Sequence, residues 1–120
     1  MKDNVIVDKT YAFASRIVKL HKYLTQEQRE YILSKQVLRS GISVGANVEE
    51  AVAVSFRADF IHKLTIAAKE ARDTAYWFCL LHDSDYLPTP IFHSVYQDID
   101  EIKRIIGSII ISAKKPGIIS

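Results

Sequence analysis

The chain has 120 residues, 48% hydrophobic and 25% charged, with a net charge of +2 at pH 7. That size and balance predict one globular domain, 1–120, able to bury its own core, and exclude a disordered or collagen-like polymer. The small charge does not by itself argue for nucleic acid, and one cysteine, Cys79, excludes an internal disulfide.

Cysteine usage of this kind suits a reducing compartment, so the cytoplasm is the expected location. No run of about 18 uninterrupted apolar residues is present, which predicts no membrane span. The first eight residues carry Asp3 and Asp8 and lack a signal-peptide pattern.

Four glycines and three prolines punctuate stretches rich in Ala, Leu, Ile, Lys, Glu and Arg. The first stretch predicts a helix over 4–24. Ile6, Thr10, Phe13, Ile17, Leu20 and Leu24 recur at alternating steps of four and three, the spacing of an inward seam. Thr25 followed by Gln28 reads as a capping box opening the next helix.

That second helix is expected over 26–54. Leu33, Val37, Leu38, Gly41, Val44, Gly45, Val48, Ala51 and Val52 form an apolar arc wider than a single-core stripe. Gly41 and Gly45 would each cost about 1 kcal/mol relative to alanine inside a helix. Close approach of a neighbouring helix is the expected compensation, and a local break at 41–45 the alternative.

Ser55 is the next cap candidate, ahead of a helix over 56–83. Phe56, Phe60, Leu64, Ala67, Ala71, Ala75 and Phe78 share one side, and Ile66, Trp77 and Leu80 fall on another. Asp59–Lys63 and Lys69–Asp73 are spaced as supportive i,i+4 pairs. Thr89 reads as a cap with Pro90 at the first helical position of a helix over 90–113. Phe92, Val95, Ile99, Ile102, Ile106 and Ile109 give it an unbroken seam. Short connections between four such helices predict an all-α, antiparallel up-down-up-down four-helix bundle.

Helices 2 and 3 carry more apolar surface than one bundle interior can hide. Tyr31, Ile42, Ile66, Trp77 and Leu80 are the expected oligomer interface, because exposed Trp and aliphatic groups are costly in a monomer. The alternative is that Trp77 folds onto the edge of its own bundle.

The residue types that carry catalysis are not arranged for it. Asp59 and His62 form one Asp-x-x-His on the helix 3 face away from Phe60, where a dinuclear metal bundle needs paired inward motifs. His21, His62, His82 and His93 fall on different helices without ligand spacing. Cys79 lies on the apolar side of helix 3 and reads as a buried structural cysteine. No catalytic residue, metal or cofactor is expected, and an enzyme is disfavoured.

Two polar sets remain. Gln36, Arg39, Ser43, Asn47 and Glu50 align along helix 2 at steps of three and four. They read either as a network fixing helix register or as a binding stripe in which Arg39 takes a carboxylate or phosphate. Lys63, Glu70 and Arg72 on helix 3 are their candidate partners. Arg16, Lys19 and Lys22 recur at steps of three on helix 1, as a solvated face or, with Arg39 and Lys63, as a surface for RNA.

The segment Arg39-Ser40-Gly41-Ile42-Ser43-Val44-Gly45-Ala46-Asn47-Val48-Glu49-Glu50-Ala51 resembles the signature of a bacterial four-helix-bundle family. Its members are encoded within intervening sequences of large-subunit ribosomal RNA genes and are often labelled ribosomal proteins. Ser55, Asp59-Phe60, Lys63 and the run Ala67 to Trp77 resemble the second block of that family. The resemblance covers nearly the whole chain and implies an antiparallel bundle assembled as a homo-oligomer, typically a ring of five. The sequence is also similar to the accessory variability protein of diversity-generating retroelements, a five-subunit bundle that binds RNA and a reverse transcriptase. It thus implies a non-enzymatic oligomer with RNA or an RNA-associated protein as partner, the alternative being a protein-interaction scaffold without a nucleic-acid role.

Overall fold

The computed structural model describes residues 4–116, which form α1 (Val5–Gln26), α2 (Leu33–Ala53), α3 (Arg57–Asp83) and α4 (Thr89–Lys114). Successive helices run antiparallel and pack in the ring α1–α2–α3–α4, with the diagonals apart. No strand occurs among the described residues.

The seam expected on α1 is the buried face: Ile6, Thr10, Phe13, Ile17, Leu20 and Leu24 are all shielded. On α4, Val95, Ile99, Ile102 and Ile106 are buried, while Phe92 and Ile109 close the two ends half-buried. Phe13 meets Phe78 edge-on at 6.3 Å across the core.

α2 runs without a break through Gly41 and Gly45, so close approach is the compensation that holds. A Cβ on Gly41 would lie 2.9 Å from Ile17 Cγ1, and one on Gly45 would lie 3.2 Å from the Thr10 carbonyl oxygen. Alanines serve the same end on α3, where Ala67, Ala71 and Ala75 are buried. The α1–α4 seam is the thinnest, and a cleft of about 220 Å³ opens along it beside Phe13, Arg16 and Asp98.

The helix starts differ from expectation. Thr25 belongs to the last turn of α1, its hydroxyl donating to His21 O at 2.9 Å, and Gln28 donates to the Tyr23 hydroxyl at 2.6 Å. No capping box forms. The chain turns through Arg29 at φ 55°, and the buried Glu30 carboxylate accepts the amides of Ile32, Leu33 and Ser34 at 3.1, 2.9 and 2.7 Å. One carboxylate thereby satisfies three orphan donors at the start of α2.

Ser55 makes no cap either. Phe56, in extended conformation, stands at the cap position of α3. Because the helix begins only at Arg57, Phe56 lies outside the core at 72% exposure, and Phe60 is half-buried. At the α4 entry Pro88 takes the cap position and Thr89 is already helical. Its hydroxyl instead lies 3.0 Å from His82 Nε2, and the His82 ring stacks on Phe92 at 4.3 Å, tying the end of α3 to the start of α4.

Candidate functional site

The polar stripe of α2 turns toward α3. Arg39 pairs with Glu70 at 3.3 Å and Glu50 with Lys63 at 2.6 Å. Between them, the Asn47 side-chain amide donates to Ser43 O at 2.9 Å and lies 3.0 Å from Ser43 Oγ. Gln36 is half-buried and Arg72 exposed. Beneath this line Ser40 and Thr74 form a buried hydroxyl pair at 2.7 Å, and Thr74 also donates to Glu70 O. Two ion pairs and one hydroxyl pair thus cross from α2 to α3 along this line, and the Asn47–Ser43 contact stays within α2.

Ion pairing also sorts the cations. Lys63 bonds Glu50 across the bundle rather than Asp59 one turn away. Arg16 binds Asp98 and Ser94, each at 2.6 Å, and Lys9 reaches Glu101 at 3.2 Å, so both bridge α1 to α4. The Lys69–Asp73 pair forms at 2.8 Å, and that hydrogen bond raises the exposed lysine above its ordinary range. Of the cations named for RNA, Arg16, Arg39 and Lys63 are thus occupied by acids, whereas Lys19 and Lys22 have no acidic partner among the described residues.

The expected interface residues lie on three segments of the chain: the α1–α2 connection, α2 and α3. Ile66, Trp77 and Leu80 on α3 are half-buried. Trp77 packs against the core with Tyr76 edge-on at 5.3 Å, and its indole N–H is shielded without an acceptor. Tyr31, in the connection before α2, is 58% exposed, and Ile42 on α2 is 38% exposed. Cys79 is half-buried rather than fully enclosed.

Ile42 instead belongs to an outer face shared by α1 and α2. One apolar hollow of about 280 Å³ is walled by Thr10, Tyr11, Ala14, Ile42, Gly45 and Ala46, with Glu49 at its end. A second of about 350 Å³ continues from the same Tyr11, Ala14 and Ile42 to Val18, Lys19 and Lys22. Tyr11 is 73% exposed and Val18 40%. The close approach allowed by Gly41 and Gly45 leaves this shallow trough between the helices.

Among the described residues no three His, Cys, Asp or Glu side chains are placed to hold a metal ion, and no helix is long and apolar enough to cross a membrane.

A model of the 23S rRNA-intervening sequence protein family matches residues 2–108. The chain belongs to that family. It is also similar to a crystal structure from Bacteroides thetaiotaomicron described as a protein with unknown function from the S23 ribosomal protein family. The two are 51% identical, with a TM-score of 0.88 over 92% of this chain and 98% of that one. No curated protein matches.

The residues that the sequence did not single out are Tyr11, Val18, Ala46 and Glu49 on the outer trough, and the Ser40–Thr74 pair. Tyr11 and Val18 are seven apart, one coiled-coil repeat, and that second stripe beside the α1 seam was the available signal. Ser40 and Thr74 carried none, since a lone hydroxyl in a helix ordinarily faces solvent or its own backbone.

Proposed function

We propose that the protein is a non-enzymatic scaffold that works as an assembly of its own copies. The observation that carries this reading is the α1–α2 trough: an almost wholly apolar hollow bordered by Tyr11 and Ile42, left open on the outside of a bundle whose core is already complete. Contiguous apolar surface of this kind marks a contact site, and aromatic anchors beside small residues are what well-packed contacts use. Sedimentation equilibrium tests it. A particle of several 13.6 kDa chains is expected, and a single-chain mass at every concentration contradicts it. The same measurement reads the count, including the ring of five implied by kinship.

RNA, or a protein bound to RNA, is the partner class proposed for the assembly. Lys19, Lys22 and Lys35 are exposed without acidic partners at the end of α1–α2 near their connection. Repetition of this modest cluster over several copies would make it multivalent. Titration of single-stranded RNA against salt is the test. Affinity falling steeply with log[salt] supports it. Undetectable binding at low salt leaves the scaffold with protein partners alone.

A further inference from the structure

We propose that the end of the bundle at the α1–α2 connection is a platform for single-stranded RNA, one base stacking on Tyr31 while Lys19, Lys22, Arg29 and Lys35 hold the phosphates around it. This deepens the RNA reading above and rests on it.

Tyr31 and its neighbour Ile32 are 58% and 74% exposed. The chain beneath them is held firmly. The Glu30 amide donates to Leu24 O at 2.9 Å, and the Gln28 amide to Tyr23 O at 3.2 Å. The buried Glu30 carboxylate then takes the amides of Ile32, Leu33 and Ser34. The backbone on both sides of Tyr31 is therefore fixed, and its ring stands free. A tyrosine presented in this way has two side-chain torsions to order on binding, so its entropy cost is small.

Cations surround the ring. Lys19 and Lys22 lie on the last turns of α1, Arg29 at the chain reversal with φ 55°, and Lys35 on the first turn of α2. All four are exposed, and none has an ion-pair partner among the described residues. Against them the connection exposes one acid, Glu27. Asp83 and Asp85, at the α3–α4 connection, lie at the same end of the bundle. Their charge repels phosphate and confines a strand to the α1–α2 side.

A free aromatic ring among unpaired cations is the arrangement that takes single strands: bases stack on the ring, and cations track the backbone. A duplex fits less well, because its bases are already stacked on one another and a side chain on a convex end reaches only backbone groups. An acidic peptide would satisfy the lysines but leave the face of Tyr31 uncovered. Arg29, Tyr31 and Lys35 line neither hollow of the outer α1–α2 face, so an assembly packed side to side leaves them open.

Fluorescence anisotropy of the full chain with a labelled single-stranded RNA, and with the duplex of the same sequence, tests the platform. The native chain should bind the single strand more tightly. Tyr31→Ala should weaken that binding about tenfold with an unchanged slope of log affinity against log[salt]. Tyr31→Phe, which keeps the ring face, should bind as the native chain does. Lys22→Ala and Lys35→Ala should each make the slope shallower by about 0.7. Tyr76→Ala is the control, a tyrosine 60% exposed on α3, and should change nothing. Circular dichroism checks that every variant keeps its helices.

Salt-dependent binding indifferent to Tyr31→Ala, or equal for strand and duplex, overturns the stacking platform and leaves the RNA reading in place. Undetectable binding of the native chain at low salt overturns both.

Discussion

The backbone carbonyl oxygen of Thr10 stands 3.2 Å from where a Cβ on Gly45 would sit. This contact sets the distance between α1 and α2, and so the depth of the trough between them. Gly45→Ala would press a methyl group against backbone rather than against a side chain able to rotate away. Overpacking exceeds the helix-propensity gain, for a net loss of about 1–2 kcal/mol. Gly107 is the control: a Cβ there meets nothing within 4 Å, so Gly107→Ala should stabilise by about 0.5–1 kcal/mol. Urea midpoints of the two variants should move in opposite directions.

Glu30 does for α2 what Thr25 and Gln28 do not. Glu30→Ala removes the acceptor of three amides at a buried position and should cost about 1–3 kcal/mol. Gln28→Ala, which loses only the bond to Tyr23, should stay within about 0.5 kcal/mol. Thermal melts followed by circular dichroism separate the two, and equal losses would mean that the start of α2 is held otherwise.

The Ser40–Thr74 pair predicts strong coupling. Thr74→Val leaves the Ser40 hydroxyl buried without its partner and should cost about 1–3 kcal/mol. Adding Ser40→Ala should recover much of that loss, because neither helix then carries an orphan. A double-mutant cycle in guanidinium reads the coupling, expected between about 0.5 and 3 kcal/mol. Additive losses would show that the two hydroxyls act independently.

The bridges from α1 to α4 should be weak individually. Arg16 and Asp98 are each about two-fifths exposed, so Arg16→Ala should cost no more than about 1 kcal/mol from the lost charge pairing. The loss should shrink further at high salt. A loss that persists in molar salt would assign the role of Arg16 to the packing of its stem over the cleft.

The bundle interior was legible because the seams of α1 and α4 repeat at strict three-and-four spacing, a pattern that only an inward helical face satisfies over six positions. The connections were not. Thr25 and Gln28 carry the residues of a capping box, and nothing local reveals that the chain stays helical through Gln26 and then reverses at Arg29. Phe56 reads as core by spacing alone, and its fate depended on where α3 begins. The charged stripe of α2 was visible, but whether Arg39 and Glu50 meet solvent or α3 is decided across the bundle by Glu70 and Lys63. The outer face was hidden for a related reason. Tyr11 and Val18 sit beside the seam of α1, and whether they are covered depends on how closely two glycines on another helix draw α2 in.

The proposed assembly requires the α1–α2 trough to be a contact between copies. Its most direct test is sedimentation equilibrium of the native chain beside Ile42→Asp, with helicity checked for both. A multi-chain native particle, and a variant reduced to 13.6 kDa with unchanged helical content, is the predicted result. Equal masses for the two proteins, whether single-chain or assembled, would contradict it.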